Sequence, residues 1–526
     1  MDPQGRIASA LAVSGDRIVA VGSRAEIEAR TDDRTRVVDL AGRSLIPGLM
    51  DAHMHSSLHR LGTHKFLCRT PEITTVATLQ EALRRKTAEV PEGEWISGTL
   101  YDHFRLEERR HITRTELDAA APRHPVILER YGHECVVNSR ALRLAGIDEV
   151  TPTPVGGVIG KGANGQLTGL VVDTAMSLLR RALPEVTEAS MTERLRALAR
   201  ECHQVGITTI HDAGVGFYSP VQVSAYHRLH RQEGIRLRVY MVMANFYHPG
   251  REPSVGSFIR ASGIRTGFGD DWLKVGPIKL MADGGASGGS AAMFEPFEGE
   301  PDNIGCTYWE QEELDGLVAE IHEAGCQVAI HAVGDRAVAM ALGSIGRALE
   351  KAPRENHRHR IEHGAVMPPS LVAQAARLGV VVTPNPAFLV TLGESYKRYL
   401  GEARLRHTFP LRSFRDAGVV AAGASDAPIT DLNPFLGMYG ATVRRTEQGV
   451  QLPDAERIDP LDALRLYTFN GAYAAFEEQE KGSLEVGKLA DLAVVSTDLT
   501  QIVPEALREV RVDMTVVGGE AVYERG

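Results

Sequence analysis

The sequence predicts an α/β protein: a (β/α)8 TIM barrel with insertions, plus a small β-sandwich domain built from both termini. Three observations lead there. Short apolar β-type runs alternate with helical stretches about eight times through the middle of the chain, both ends read as β-hairpins, and several middle runs close on a histidine or carboxylate. Repeated strand–helix alternation implies parallel strands with crossover helices, and eight such strands close into a barrel, usually in about 250 residues. At 526 residues the chain exceeds one small core, so a barrel with additions fits its length. An open doubly wound sheet satisfies the same alternation.

The elements follow in order. Residues 10–13 and 17–21 flank a turn at Ser14-Gly15-Asp16, a hairpin pattern. Residues 490–495, then 514–517 and 520–523 about a Gly518-Gly519 turn, give the C-terminal counterpart. The small domain is therefore assigned to residues 1–46 and 480–526, and the barrel to 47–479. The eight barrel runs are read at residues 45–55, 125–128, 207–211, 273–280, 328–331, 360–363, 380–384 and 419–426, with amphipathic helices such as 312–324 and 369–378 between them. Insertions are placed around 60–125 and 150–175; in the second, Asn164-Gly165 marks a hairpin turn.

Composition narrows the function classes. A formal net charge of −10 gives no reason to expect nucleic acid or an acidic membrane surface as partner. Five dispersed cysteines, with no Cys-x-x-Cys pair, argue against a disulfide framework and for a reducing, cytoplasmic compartment. No run approaches the roughly 18 apolar residues of a membrane span, and residues 1–6 do not read as a signal peptide.

The chemistry-bearing residues start at Asp51-Ala52-His53-Met54-His55. Alternate strand residues share a face, so Asp51, His53 and His55 are read as pointing one way. Two imidazoles so placed can hold one cation, although two histidines bonded to water or backbone would look the same. His331, His363 and Asp426 each end a later run, and barrels gather catalytic residues at that face from different strands. Lys279 lies in Val275-Gly-Pro-Ile-Lys-Leu-Met281, where its neighbours predict burial. A buried ammonium must shift its pKa, pair or be modified. Reaction with carbon dioxide would make it a carbamate able to bridge two divalent cations. Carbamate, Asp426 and a bridging hydroxide then remove three of four positive charges, leaving one to polarise a carbonyl. A lysine paired with Asp283, or reaching to the barrel mouth, fits the same residues.

This pattern resembles the amidohydrolase superfamily: His53 and His55 match its strand-one His-x-His, Lys279 its bridging lysine, His331 and His363 its later histidines, and Asp426 its final-strand aspartate. The resemblance extends to the long YtcJ-like branch, amidohydrolase family 3, that includes N-substituted formamide deformylases. Supporting phrases run from Gly93-Glu-Trp95-Ile-Ser-Gly98 through His331-Ala-Val-Gly-Asp335-Arg-Ala337 to Gly482-Ser-Leu-Glu-Val-Gly-Lys488-Leu-Ala-Asp491-Leu492. It implies a metal-dependent hydrolase of amide-like C–N bonds, one or two divalent cations per chain with zinc as leading candidate, and a carbamate on Lys279. Metal-bound hydroxide would be the nucleophile and Asp426 the proton shuttle.

Substrate contacts are expected from His133 and Asn138 after strand two, His211 and Asp212 after strand three, and Asp283 after strand four. The expected partner is a small molecule, with a homodimer as the assembly considered. Three departures separate the chain from its branch. It looks short at Met1-Asp2-Pro3, which would leave the small sheet an unpaired edge, and residues 284–293 and Asn385-Pro386 differ in wording. Rival readings are a mononuclear deaminase, whose glutamate three residues after the strand-five histidine is here Gly334; a lactone or ester hydrolase; and a non-catalytic metal-binding regulatory protein.

Overall fold

The computed structural model describes residues 6–57, 64–68, 72–130, 132–154, 156–180, 182–216, 221–244, 259 and 261–526. The reading made of Met1-Asp2-Pro3 and the first residues of the 60–125 insertion lie outside them. Seven parallel strands form one sheet in the order Leu49–Met54, Ile207–Val215, Arg238–Ala244, Leu273–Met281, Val328–Ala332, Arg360–His363 and Val381–Thr383. Residues 420–427 close it as the eighth stave. Ala422 N donates to Val382 O (2.9 Å) on one side, and Ala52 N donates to Gly423 O (3.1 Å) on the other. The barrel is therefore complete.

Two expectations about its strands are corrected. Residues 125–128 are no barrel strand: Val126–Arg130 pairs with Ile96–Thr99 and Glu134–Val137 in a separate six-stranded sheet. A buried apolar run reveals its conformation but not which sheet it joins. The barrel strand the sequence reading passed over is Arg238–Ala244, which opens on an arginine and so hides its apolar character. Its guanidinium is buried because it forms a bidentate pair with Asp491 (2.7 and 3.0 Å). Ile207–Val215 is thus the second barrel strand, not the third. The inserted sheet draws on residues 64 to 173, so the two insertions expected on either side of residues 125–128 are parts of one unit. Within it, Gly157–Lys161 and Leu167–Asp173 form a hairpin about Asn164-Gly165.

The chain ends meet in antiparallel β structure. Glu520–Glu524, Val512–Val517, Leu492–Val495 and Ser44–Pro47 form a four-stranded sheet, and the hairpin of Ala10–Ser14 with Arg17–Gly22 attaches through Ile18 N to Lys488 O (2.9 Å). Ile18, Ala490 and Leu492 make the small core between them. Gly518 and Gly519 turn the last hairpin with φ of 56° and 77°, the left-handed pair that a two-residue turn requires.

Candidate metal centre

Leu49–Met54 is buried along its whole length, so each polar side chain on it needs a partner. His53 is fully buried. Its Nδ1 contacts Glu362 Oε2, and a carboxylate can only accept, so Nδ1 carries the proton and the Nε2 lone pair faces the barrel mouth. His55 is fixed likewise, its Nδ1 against the carbonyl of Ala213. His363 Nδ1 lies 2.7 Å from Asn385 Oδ1, and His331 Nε2 lies 3.3 Å from the carbonyl of Gly284. Each of the four rings thus commits one nitrogen to a protein acceptor and keeps the other as a lone pair, the arrangement usual for histidines that bind metal.

The rings converge. His53 lies 5.1 Å from His55 and 4.8 Å from His363 between centroids, and His363 lies 4.6 Å from His331. Asp426 completes the group: its Oδ1 is 3.1 Å from His55 Nε2 and 3.5 Å from His53 Nε2. That oxygen is buried and has no hydrogen-bond partner. Lys279 Nζ lies 3.0 Å from His53 Nε2. All six side chains expected at the centre therefore occupy one neighbourhood. His363 and Asp426 turn into it with φ of 69° and 58°, left-handed backbone that is uncommon outside glycine, although histidine and aspartate adopt it more readily than most residues.

Electrostatics favour a cation there. Burial holds His53 and His331 well below the usual imidazole range and His363 down to about 4, so all three present lone pairs, not protons. Burial lowers Lys279 to about 8. An unpaired buried carboxylate oxygen between imidazole nitrogens fits a divalent cation, with the nitrogen and oxygen donors that zinc accepts.

A layer that the sequence reading missed supports this centre. Arg360 donates Nε to Glu362 Oε1 (2.7 Å) and Nη2 to both Glu362 Oε2 (3.0 Å) and Ala52 O (2.7 Å). The signal was present: Arg360 and Glu362 are two apart on an otherwise apolar strand, so both face the barrel interior. Asp51 leaves the histidines' company and binds the backbone N–H (3.1 Å) and hydroxyl of Ser425.

The remaining expected contacts divide. His133 reaches the centre from the inserted sheet: its ring is 5.5 Å from His331, its Nδ1 is 2.8 Å from Asp173 Oδ1, and its side chain is partly exposed. Asn138 is a helix cap, donating to the carbonyls of Ala121 (3.3 Å) and His124 (2.8 Å) and accepting from Val126 N and Ala141 N. His211 sits inside the barrel, its Nδ1 3.1 Å from Arg360 Nη1. Asp212 accepts from Ser56, Gln222 and Tyr226. Asp283 accepts from the amides of Ala292, Val333 and Gly334, bracing the turn that follows the strand carrying His331. Three of the five thus have buried bonding that leaves them little to offer a substrate: Asn138, Asp212 and Asp283. Asn385, noted in the sequence only as a departure, holds His363 and keeps a buried Nδ2 without a partner.

An eight-stranded barrel with such a cluster at its strands' C-terminal ends defines a class of metal-site barrels. Residues 36–523 match the model of the family described as "Amidohydrolase family", and the chain belongs to that family of metal-dependent hydrolases. The N-substituted formamide deformylase of Arthrobacter pascens is 29% identical over 536 residues, covering 100% of this chain and 96% of that one. YtcJ of Bacillus subtilis is 30% identical over 498 residues, 93% of this chain and 91% of its own. The crystal structure of an uncharacterised metal-dependent hydrolase from Pyrococcus horikoshii superposes with a TM-score of 0.72 at 21% identity, covering 94% and 95% of the two chains, and shares the fold.

Proposed function

We propose that the chain hydrolyses the C–N bond of a small amide-type molecule, releasing an acid and an amine. The observation that carries this reading is the unpartnered, buried Oδ1 of Asp426, facing the inward nitrogens of His53 and His55 beside Lys279. His53, His55 and Asp426 would hold one divalent cation, and His331 and His363 a second. Lys279 would serve both once its amine adds to carbon dioxide, forming a carbamate and releasing a proton. Cations bound there supply water activated near neutral pH and a polarised scissile carbonyl. Zinc suits the donor set.

The protein's own groups do the rest. Asp426 takes the proton of the attacking water and returns it to the leaving nitrogen. His133, whose pKa is raised against the opposing effect of burial by Asp173, donates to the carbonyl oxygen from its protonated Nε2 at the edge of the site. The full-length relationship to a formamide deformylase supports the C–N bond as target and a formyl or short acyl group as its acid side. A deaminase mechanism would need a carboxylate at position 334. A Cβ at Gly334 would fall 2.0 Å from the carbonyl oxygen of Ala292, so no side chain fits there. No helix among the described residues is long and apolar enough to cross a membrane, and none of the five cysteines forms a disulfide, which supports a reducing, cytoplasmic setting.

The test is amine release from a panel of N-formyl and N-acyl amines, with lactones and esters alongside. Chelation should abolish turnover and zinc should restore it, and Asp426→Asn should lower kcat on the order of a thousandfold. Amide hydrolysis indifferent to chelation would overturn the reading; lactone cleavage without amide cleavage would move the target bond.

A further inference from the structure

Outside the barrel a second group of side chains has the donor set of a metal site. It lies on the inserted sheet and shares no residue with the centre described above. His103 opens the one-turn helix His103–Arg105, His111 precedes the helix Arg114–Ala120, and Glu134 begins the strand Glu134–Val137. One nitrogen from each histidine and one carboxylate oxygen lie within 4.8 Å of one another. We propose that His103, His111 and Glu134 bind a divalent cation of the zinc type, distinct from any held by the barrel.

Four features of the cluster argue for an ion. First, His103 is 7% exposed and its Nδ1 is buried with no hydrogen-bond partner, although buried polar atoms normally have one. Second, His111 is oriented from behind. Its Nδ1 lies 3.3 Å from the hydroxyl of Tyr101, which also accepts from Ile112 N (3.0 Å). The Tyr101 oxygen has lone pairs for both donors, and in the tautomer whose Nδ1–H it accepts, the Nε2 lone pair faces Glu134.

Third, His111 Nε2 and Glu134 Oε2 stand 3.8 Å apart, too far for a hydrogen bond. Two ligand atoms each about 2.1 Å from a tetrahedral ion lie roughly 3.4 Å apart, so a small inward movement closes the pair on a cation. Fourth, Glu134 keeps one carboxylate oxygen for the cluster. Arg130 donates to Asp102 (2.9 Å) and to Glu134 Oε1 (2.5 Å), so its charge is balanced by two carboxylates while Oε2 stays directed at His111.

Such an ion would bind the insertion to the barrel mouth. Glu134 holds Arg130, and Arg130 also donates to Ser287 O and Ser395 Oγ, both 3.1 Å away. Ser287 belongs to the segment that follows Lys279 and Asp283. Fixing Glu134 therefore fixes the arginine that joins the inserted sheet to the loops around the barrel centre.

The test removes the barrel ligands first. In a chain carrying His53→Ala, His55→Ala, His331→Ala and His363→Ala together, competition against a chromophoric zinc chelator should still reveal a bound zinc. His103→Gln, His111→Gln and Glu134→Gln, added singly, should each weaken that zinc at least about tenfold. A second measurement needs no variant: crystals of the wild-type chain equilibrated with zinc should show an anomalous peak among His103, His111 and Glu134. The proposal is overturned if that peak is missing, or if zinc affinity in the background chain is unmoved by all three substitutions. Neither outcome depends on whether the barrel ligands act as proposed.

Discussion

At the residue scale, the centre is set by which ring nitrogen of each histidine faces inward, and Glu362 decides this for His53. Burial alone would raise the Glu362 carboxyl, but Arg360 and Lys279 hold it below its ordinary value, so it stays ionised and accepts the hydrogen bond from His53 Nδ1–H. Glu362→Gln removes that charge and leaves the Arg360 guanidinium buried without its counterion. Such a change costs about 3–5 kcal/mol, and loss of a partner behind a ligand weakens metal binding by roughly 10–100-fold. The expected result is a lower Tm together with weaker zinc binding, read by calorimetry and chelator competition; an unchanged zinc affinity would show that Glu362 does not govern His53. The histidines themselves were legible because strand periodicity puts His53 and His55 on one face. Arg360 and Glu362 were not recognised, because a charged pair inside a barrel is visible only once the strands are closed around it.

At the element scale, the sequence announces the type of most strands, misplaces one and hides another. Val126–Arg130 is apolar enough to be a barrel strand and belongs to the insertion, whereas Arg238–Ala244 is disguised by an arginine whose partner lies 253 residues away. Local signals are more faithful at helix ends. Thr113 and Glu116 cap the helix Arg114–Ala120 reciprocally, and Arg110 pairs with Glu116 at 2.7 Å. The hydrogen bond from Arg110 chiefly lowers the Glu116 carboxyl from 4.5 to about 2. Because the folded value lies below the unfolded one, this contribution is complete above about pH 4.5 and disappears as pH falls toward 2. Glu116→Gln should therefore lower stability at neutral pH, and the gap to wild type in denaturant midpoint should narrow steadily on acidification below pH 4.5. A gap independent of pH would assign the effect to capping geometry alone.

At the scale of the whole molecule, polar bonds tie the barrel to the inserted sheet and to the sheet shared by both ends. Arg238 on a barrel strand and Asp491 in the terminal sheet form a bidentate pair, each nearly fully buried, and Asp491 also accepts from Gly518 N (2.9 Å). Breaking it by Asp491→Asn leaves Arg238 without its charge partner, at a cost of about 3–5 kcal/mol. Limited proteolysis should then release the chain termini before the barrel is cut, where the wild type resists. Simultaneous loss of both would mean that the sheet and barrel unfold as one unit. The global plan could be read from alternation and from the β-patterned ends. The continuity of the insertion could not, since it depends on pairings between strands that no periodicity records.

The central claim is that side chains as distant in sequence as His53 and Asp426 meet to hold cations. Anomalous diffraction at the zinc edge, from crystals of the chain purified without added metal and then equilibrated with zinc, tests it directly. One or two peaks should lie within coordination distance of His53, His55, Lys279, His331, His363 and Asp426, reduced in Lys279→Ala. A fully active enzyme whose crystals carry no metal among those residues would contradict the account.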